Sequence, residues 1–149
     1  MQPGPDGHHR TIVVAADHPK AVPGATYRDF IHEPFLFDVW GNETVAERNK
    51  RARATTALCE LKPEQIIIVP NRDSGYTAAE LGEGVIASSE LNRIADRSTL
   101  KQYPVENSFE TIVCIWREDQ ENPAVAQYAR QLQQGYHARR RGRRSKKNP

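Results

Sequence analysis

Residues 75–91 read GYTAAELGEGVIASSEL. Thr77, with Glu80 three residues on, has the S/T-x-x-E form of a capping box, so the stretch opens as a helix. Gly82 and Gly84 then fall within one turn, and each costs a helix interior roughly 1 kcal/mol against alanine. The spacing predicts a helix from Thr77 to Leu81, a tight glycine turn and a short extended run, GVIASS. A second helix is expected from Ser88 or Ser89 through ELNRIA. Helix, turn, strand, helix is the grammar of an α/β fold.

The flanking sequence keeps that alternation. TIVVAA (Thr11–Ala16), QIIIV (Gln65–Val69) and ETIVCIW (Glu110–Trp116) are apolar runs of strand length, and PFLFDVW is a shorter aromatic one. Thr44 and Glu47 form a second capping box. It opens TVAERNKRARATTALCEL, where Glu47 and Arg51 stand four apart as an ion pair. That helix is expected to end near Leu61, because Pro63 disfavours helical geometry at Lys62. Asn122 and Pro123 start another, with Val125, Tyr128, Ala129 and Leu132 on one face. The expected fold class is α/β, a sandwich on a largely parallel sheet.

With 149 residues the chain makes one domain or two small lobes with a core of their own. No run approaches the length of a membrane span, and MQPGPDGHHR lacks the apolar region of a signal peptide, so a cytoplasmic protein with no membrane partner is expected. Cys59 and Cys114 are isolated, which suggests neither a disulfide framework nor a zinc knuckle. The formal charge of +2 hides an asymmetry: residues 139–147 hold seven basic side chains, and removing seven from +2 leaves −5 on the rest. Arg139, Arg140, Arg141, Arg143 and Arg144, with Lys146 and Lys147, make a basic tail. It is either a solvated, disordered end or a non-specific contact for nucleic acid.

Chemistry-bearing constellations are sparse. Asp17, Asp73 and Asp119 each follow a strand, and ligands of open α/β sheets sit beyond strand carboxyl ends. A small magnesium-dependent enzyme is therefore a second reading. GNETVAE opens like a Nudix box, but Thr55, Thr56 and Ala57 stand where its metal-binding carboxylates belong. The five histidines are dispersed, and no serine or cysteine has a base at hand, so no zinc site, catalytic residue or cofactor is expected. PNRDSG (Pro70–Gly75) precedes the helix expected at Thr77. Its backbone N–H groups, with Ser74 and Arg72, suit a carboxylate or other small anion; the same residues equally form an Asx or type I turn.

Taken in order, these segments resemble the effector-binding domain of LysR-type transcriptional regulators. TIVVAADHPKAV resembles the family's strand and D/E-H-P-L-A turn, and TYRDFIHEPFLFD its L-x-D-L-x-x-E-P-F-I segment. YTAAELGEGVIASSEL is similar to its L-V-x-x-G-x-G-V/I helix–turn–strand. ETIVCIWREDQENPAVAQYARQL is similar to its last strand and closing helix. The resemblance runs from Thr11 to Leu132. The family's winged helix-turn-helix, expected upstream, has no counterpart here, and the proline expected after the glycine-led strand is replaced near Ser88 and Ser89.

The resemblance implies a type 2 periplasmic-binding-protein-like fold, with one complete α/β lobe (about 27–100) and a remnant of the other, inside a partial domain over 11–135. TIVVAA, ETIVCIW and the closing helix would be the remnant, with hinges near Ala15–Pro19 and Lys101–Val105. Residues 1–10 and the basic tail from 136 to 149 would be disordered. It implies a non-enzymatic, truncated module that binds a small-molecule effector such as a carboxylate. The family's ligand positions map onto Asn71, Arg72, Asp73, Ser74, Val85 and Ile86, and more loosely Phe37 and Asp38. Implied partners are a second copy or a full-length regulator, with DNA reached only indirectly or through the tail.

Overall fold

The structure, a computed structural model, describes residues 8–92, 97–110, 117, 119, 121–132 and 134. The chain divides into two compact units, Gly7–Glu110 and a second made of Met1–Asp6 with Thr111–Pro149. The first carries β1 (His8–Ala15), β2 (Phe35–Asp38), α1 (Val45–Leu58), β3 (Ile66–Val69), α2 (Arg72–Glu80), β4 (Val85–Ser89) and β5 (Leu100–Glu110). Short 3-10 turns at Tyr27–Phe30 and Pro63–Gln65 precede β2 and β3. In the second unit residues 123–132 are helical; Asn122 Oδ1 accepts from Ala124 N at 3.0 Å, as the Asn-Pro start predicts. On that helix Val125 and Ala129 are half-buried, while Tyr128 and Leu132 are exposed.

One five-stranded sheet, ordered β3-β2-β4-β1-β5, organises the first unit. β2 runs parallel to β3 and β4, whereas β1 is antiparallel to β4 and β5. The sheet is thus mixed rather than largely parallel. TIVVAA also belongs to this lobe's sheet and not to a remnant of another lobe, since Ile12 and Val13 pair with Ala87 and Ile86. Both expected hinges lie inside the unit. An apolar run buried on two faces reads alike in either strand direction, so sequence pattern does not report orientation.

Both faces are covered. Ile12, Val14, Phe35, Phe37, Val85 and Ala87 join Tyr27, Phe30, Ala52 and Cys59 on one side. Val13, Leu36 and Ile86 meet Tyr76 and Ala79 of α2 on the other. The two-residue side-chain period of a strand accounts for this division and for the lack of polar alternation in TIVVAA. Gly75 lets α2 come down on β4: a Cβ there would stand 2.6 Å from Ile86 Cδ1.

Three expected boundaries move. α2 starts at Arg72, capped by Asn71, whose Oδ1 accepts from Ser74 N at 2.8 Å. Thr77 is therefore mid-helix, its hydroxyl donating to Asp73 O at 3.1 Å, and Glu80 accepts from Thr99 Oγ1 at 2.9 Å instead of closing a capping box. An Asx cap at Asn71, six residues upstream, outcompetes the Thr77 signal, because it lets more than a full extra turn of backbone bond itself. α1 keeps its Thr44–Glu47 box but ends at Leu58. Glu60 there takes the left-handed conformation (φ 59°), and Leu61 N donates to Thr56 O at 2.8 Å, a Schellman closure without glycine. Tyr27 OH and Arg28 Nε donate to the Glu60 carboxylate, offsetting the left-handed cost of roughly 1–2 kcal/mol. Ser88 and Ser89 finish β4 rather than starting a helix; the rest of ELNRIA past Asn92, like most of ETIVCIW, lies outside the described residues.

The turn at Gly82 and Gly84 is as tight as expected, for two separate reasons. Gly82 (φ +79°) closes α2, with Gly82 N donating to Ala79 O and Glu83 N to Ala78 O, both at 3.0 Å. Gly84 gives β4 its approach to β2: a Cβ would lie 2.5 Å from Pro34 O, the atom that accepts from Val85 N at 2.8 Å.

Candidate functional site

The parallel strands β2, β3 and β4 share one carboxyl-terminal edge, where an open α/β sheet presents loops and helix starts to a ligand. Asp38 ends β2 there and is buried. Arg72, in the first turn of α2, places Nε 3.4 Å from Asp38 Oδ2 and donates from Nη1 to Ala87 O of β4 at 2.6 Å. One arginine thereby ties the ends of β2 and β4 to the start of α2. Asn71, Arg72, Asp73 and Ser74, expected as a loop, are the cap and first turn of this helix. The Asn71 side chain already occupies one of the first-turn N–H groups, Ser74 N. Asn71 and Asp73 are exposed and Ser74 half-buried; all three line an open concavity with Thr77, Ala78, Leu81 and Glu83.

The other expected positions separate from these. Phe37, Val85 and Ile86 are 2%, 0% and 1% exposed, so their side chains are core and offer a ligand no surface in this arrangement. Alternation decides this: with helices on both sides of the sheet, successive residues of the inner strands β2 and β4 point into one core or the other. Of the eight expected residues, Asp38 and Arg72 are brought into direct contact.

Six further side chains gather there in roles that sequence reading passed over. Arg51 of α1 does not pair with Glu47. Its guanidinium bonds Glu43 twice (Nε–Oε1 2.6 Å, Nη2–Oε2 2.8 Å) and Asp38 O at 2.6 Å, while Nη1 approaches Asp38 Oδ1 at 3.8 Å. Its Cζ also lies 4.2 Å from the Phe37 ring centre and 4.1 Å from that of Trp40. Glu47 is turned back to cap its own helix, which leaves Arg51 for the sheet edge. Trp40 Nε1 donates to Asp38 Oδ2 at 3.2 Å. Beside them, Ser88 Oγ meets Tyr76 OH at 2.9 Å and accepts from Asn92 Nδ2 at 2.7 Å. Arg51 in an i,i+4 frame and Trp40 in a loop carry no local signal of a shared carboxylate.

Two guanidinium groups and the carboxylates of Asp38 and Glu43 balance in formal charge. The Arg51 hydrogen bonds, first among the causes, hold the Glu43 carboxyl below its usual range. Among the described residues no group of three His, Cys, Asp or Glu side chains is placed to hold a metal ion. Asp73 and Asp17 are exposed, and Asp119 forms an ion pair with Arg117 in the second unit. The edge is thus a polar rim in which two guanidinium groups and one indole surround the Asp38 carboxylate. The arginine-rich tail lies outside the described residues.

No protein-family model matches the sequence, and no curated protein does either. Solved structures match at the level of the fold. Full-length BenM aligns with a TM-score of 0.61 and 15% identity, over 89% of this chain and 45% of its own. A point mutant of full-length BenM gives 0.51 and 17%, over 68% and 34%. HinK, a LysR family transcriptional regulator from Pseudomonas aeruginosa, is a weaker likeness at 0.48 and 14%, over 70% and 36%. The chain spans less than half the length of full-length BenM. Its fold is of the type 2 periplasmic-binding-protein-like α/β kind. No helix among the described residues is long and apolar enough to cross a membrane.

Proposed function

We propose that this chain is a ligand-binding, non-catalytic regulatory module, the effector-binding part of a LysR-type transcriptional regulator. The observation that carries this reading is the polar rim at the carboxyl edge of β2 and β4, where Asp38, Arg72 and Arg51 are locked by mutual hydrogen bonds and ion pairs. The first turn of α2, from Asn71 to Ser74, adds backbone donors beside it. A small effector bearing a carboxylate or carbonyl oxygen is the class of ligand for such donors. It acts as a regulator only through different affinities for two arrangements of the protein. In this reading DNA is reached through the assembly that contains the chain, with a second copy or a full-length regulator as its partner. The half-exposed Ile67 and Ile68 on edge strand β3 support such association.

A thermal-shift screen against small aliphatic and aromatic carboxylates tests the reading. Saturable stabilisation by at least one of them, lost in Arg72→Met, is expected. Stabilisation by none, with the chain folded, removes it.

A further inference from the structure

Trp40 stands 54% exposed on the rim, although a buried indole would stabilise the fold more. Its placement is constrained on three sides. Nε1 donates to Asp38 Oδ2, the Arg51 guanidinium lies against one face, and the backbone N–H bonds Glu43 Oε2 at 3.3 Å while the carbonyl accepts from Glu43 N at 3.0 Å. Arg51 takes one face, and just over half of the residue's surface stays accessible. Arg72 Nε shares the same Asp38 Oδ2, so the indole and this second guanidinium stand side by side. Nη1 of Arg72 is spent on Ala87 O, Nη2 makes no hydrogen bond among the described residues, and the side chain is 36% exposed.

We propose that the open face of Trp40 is a stacking platform for a planar conjugated ring, with Arg72 Nη2 donating to an acceptor oxygen on the edge of that ring. The proposal rests on the effector-binding reading above and names the ligand class of that site. Three arguments single out this occupant. The charges of Asp38, Glu43, Arg51 and Arg72 cancel, so shape and stacking select the ligand more than net charge does. A cationic ligand on the open face would share the ring with the Arg51 charge, which disfavours it. An indole already held by a hydrogen bond and a stacked guanidinium loses little rotamer freedom on binding, which leaves more of the offset-stacking energy as affinity.

The test compares two probes of similar outline and equal charge, 2-naphthoate and its saturated counterpart decalin-2-carboxylate, on the full chain. The chain has two tryptophans, so Trp116→Phe leaves Trp40 as the sole indole reporter. Naphthoate is expected to quench its fluorescence saturably and to bind about 10-fold more tightly than the decalin acid. Thermal shifts in the unsubstituted background guard against misfolding of that variant. There Trp40→Phe keeps naphthoate affinity within about threefold, and Trp40→Ala loses about 10-fold. Equal affinity for the two probes, or naphthoate binding unchanged in Trp40→Ala, overturns the platform and leaves the effector-binding reading standing. No saturable binding of either probe overturns the platform, and only a wholly negative carboxylate screen removes the effector reading as well.

Discussion

At the scale of single residues, Gly82 and Gly84 separate two kinds of glycine requirement. Alanine at 84 would place Cβ 2.5 Å from Pro34 O and 3.1 Å from its carbonyl carbon, and that carbonyl is fixed by its bond from Val85 N. Gly84→Ala is expected to cost about 3 kcal/mol in urea unfolding, whereas Gly82→Ala meets open space and costs about 1 kcal/mol for its positive φ alone. Thr11 is the opposite case. It is 1% exposed and its hydroxyl has no partner among the described residues. Thr11→Val keeps the shape and removes an unmet polar group, so a gain of about 1 kcal/mol by the same measurement is expected. The glycine pair is visible in the sequence because its effect is local. The orphan hydroxyl is not, since TIVVAA reads the same whether or not a partner waits across the sheet.

At the scale of elements, α1 buries little apolar surface: Ala52, Thr55 and Thr56 are its buried residues, and Val45 and Leu58 are exposed. Arg51 supplies what the apolar face does not, joining the helix to the end of β2. Arg51→Leu leaves Asp38 and Glu43 short of a cation and is expected to destabilise by about 3 kcal/mol, while Arg53→Leu, on the exposed side, stays within about 0.5 kcal/mol. Three carboxyls in or beside α1 are held below the ordinary 4.5: Glu43 by Arg51, Glu47 by the Thr44 backbone N–H, and Glu60 by the Tyr27 hydroxyl. Since the folded chain then resists protonation more than the unfolded one, their contribution is complete above that value and is lost as pH falls through the lower folded values. Circular dichroism is expected to show Tm falling as the pH drops below the ordinary carboxylate range, with a flatter profile in a variant carrying Glu43→Gln, Glu47→Gln and Glu60→Gln. The Thr44–Glu47 cap was readable from spacing. The partner of Arg51 was not, because a local i,i+4 carboxylate and a distant one compete for the same guanidinium.

At the scale of the molecule, Gly7–Glu110 holds both core clusters and the whole sheet. A chain ending at Glu110 is expected to unfold in one cooperative transition in urea, by circular dichroism and tyrosine fluorescence alike; non-coincident transitions would show that it needs the remaining residues. β5 is the element that sequence reading assigned to a hinge. Its polar stretch and Pro104 argue against a strand, yet an edge position tolerates the missing donor, and Thr11 faces Pro104 there. Between His9 and Thr11 the register shifts, with Asn107 left-handed and Ser108 Oγ accepting from Arg10 N at 3.0 Å. Such a bulge is a pairing decision, made only when two distant segments meet.

The sequence by itself determined what depends on near neighbours: the α/β alternation, the cap of α1, the glycine stop of α2 and the apolar strands. It also held enough ordered motif to point to the LysR-type effector-domain fold. Tertiary structure alone decided strand direction, the placing of β1 and β5 in one sheet, and the burial of Phe37, Val85 and Ile86. It also gathered Trp40, Arg51 and Arg72 around Asp38. Local spacing sets which backbone conformations are cheap, whereas a shared carboxylate or a buried face exists only after chain segments far apart in sequence pack together.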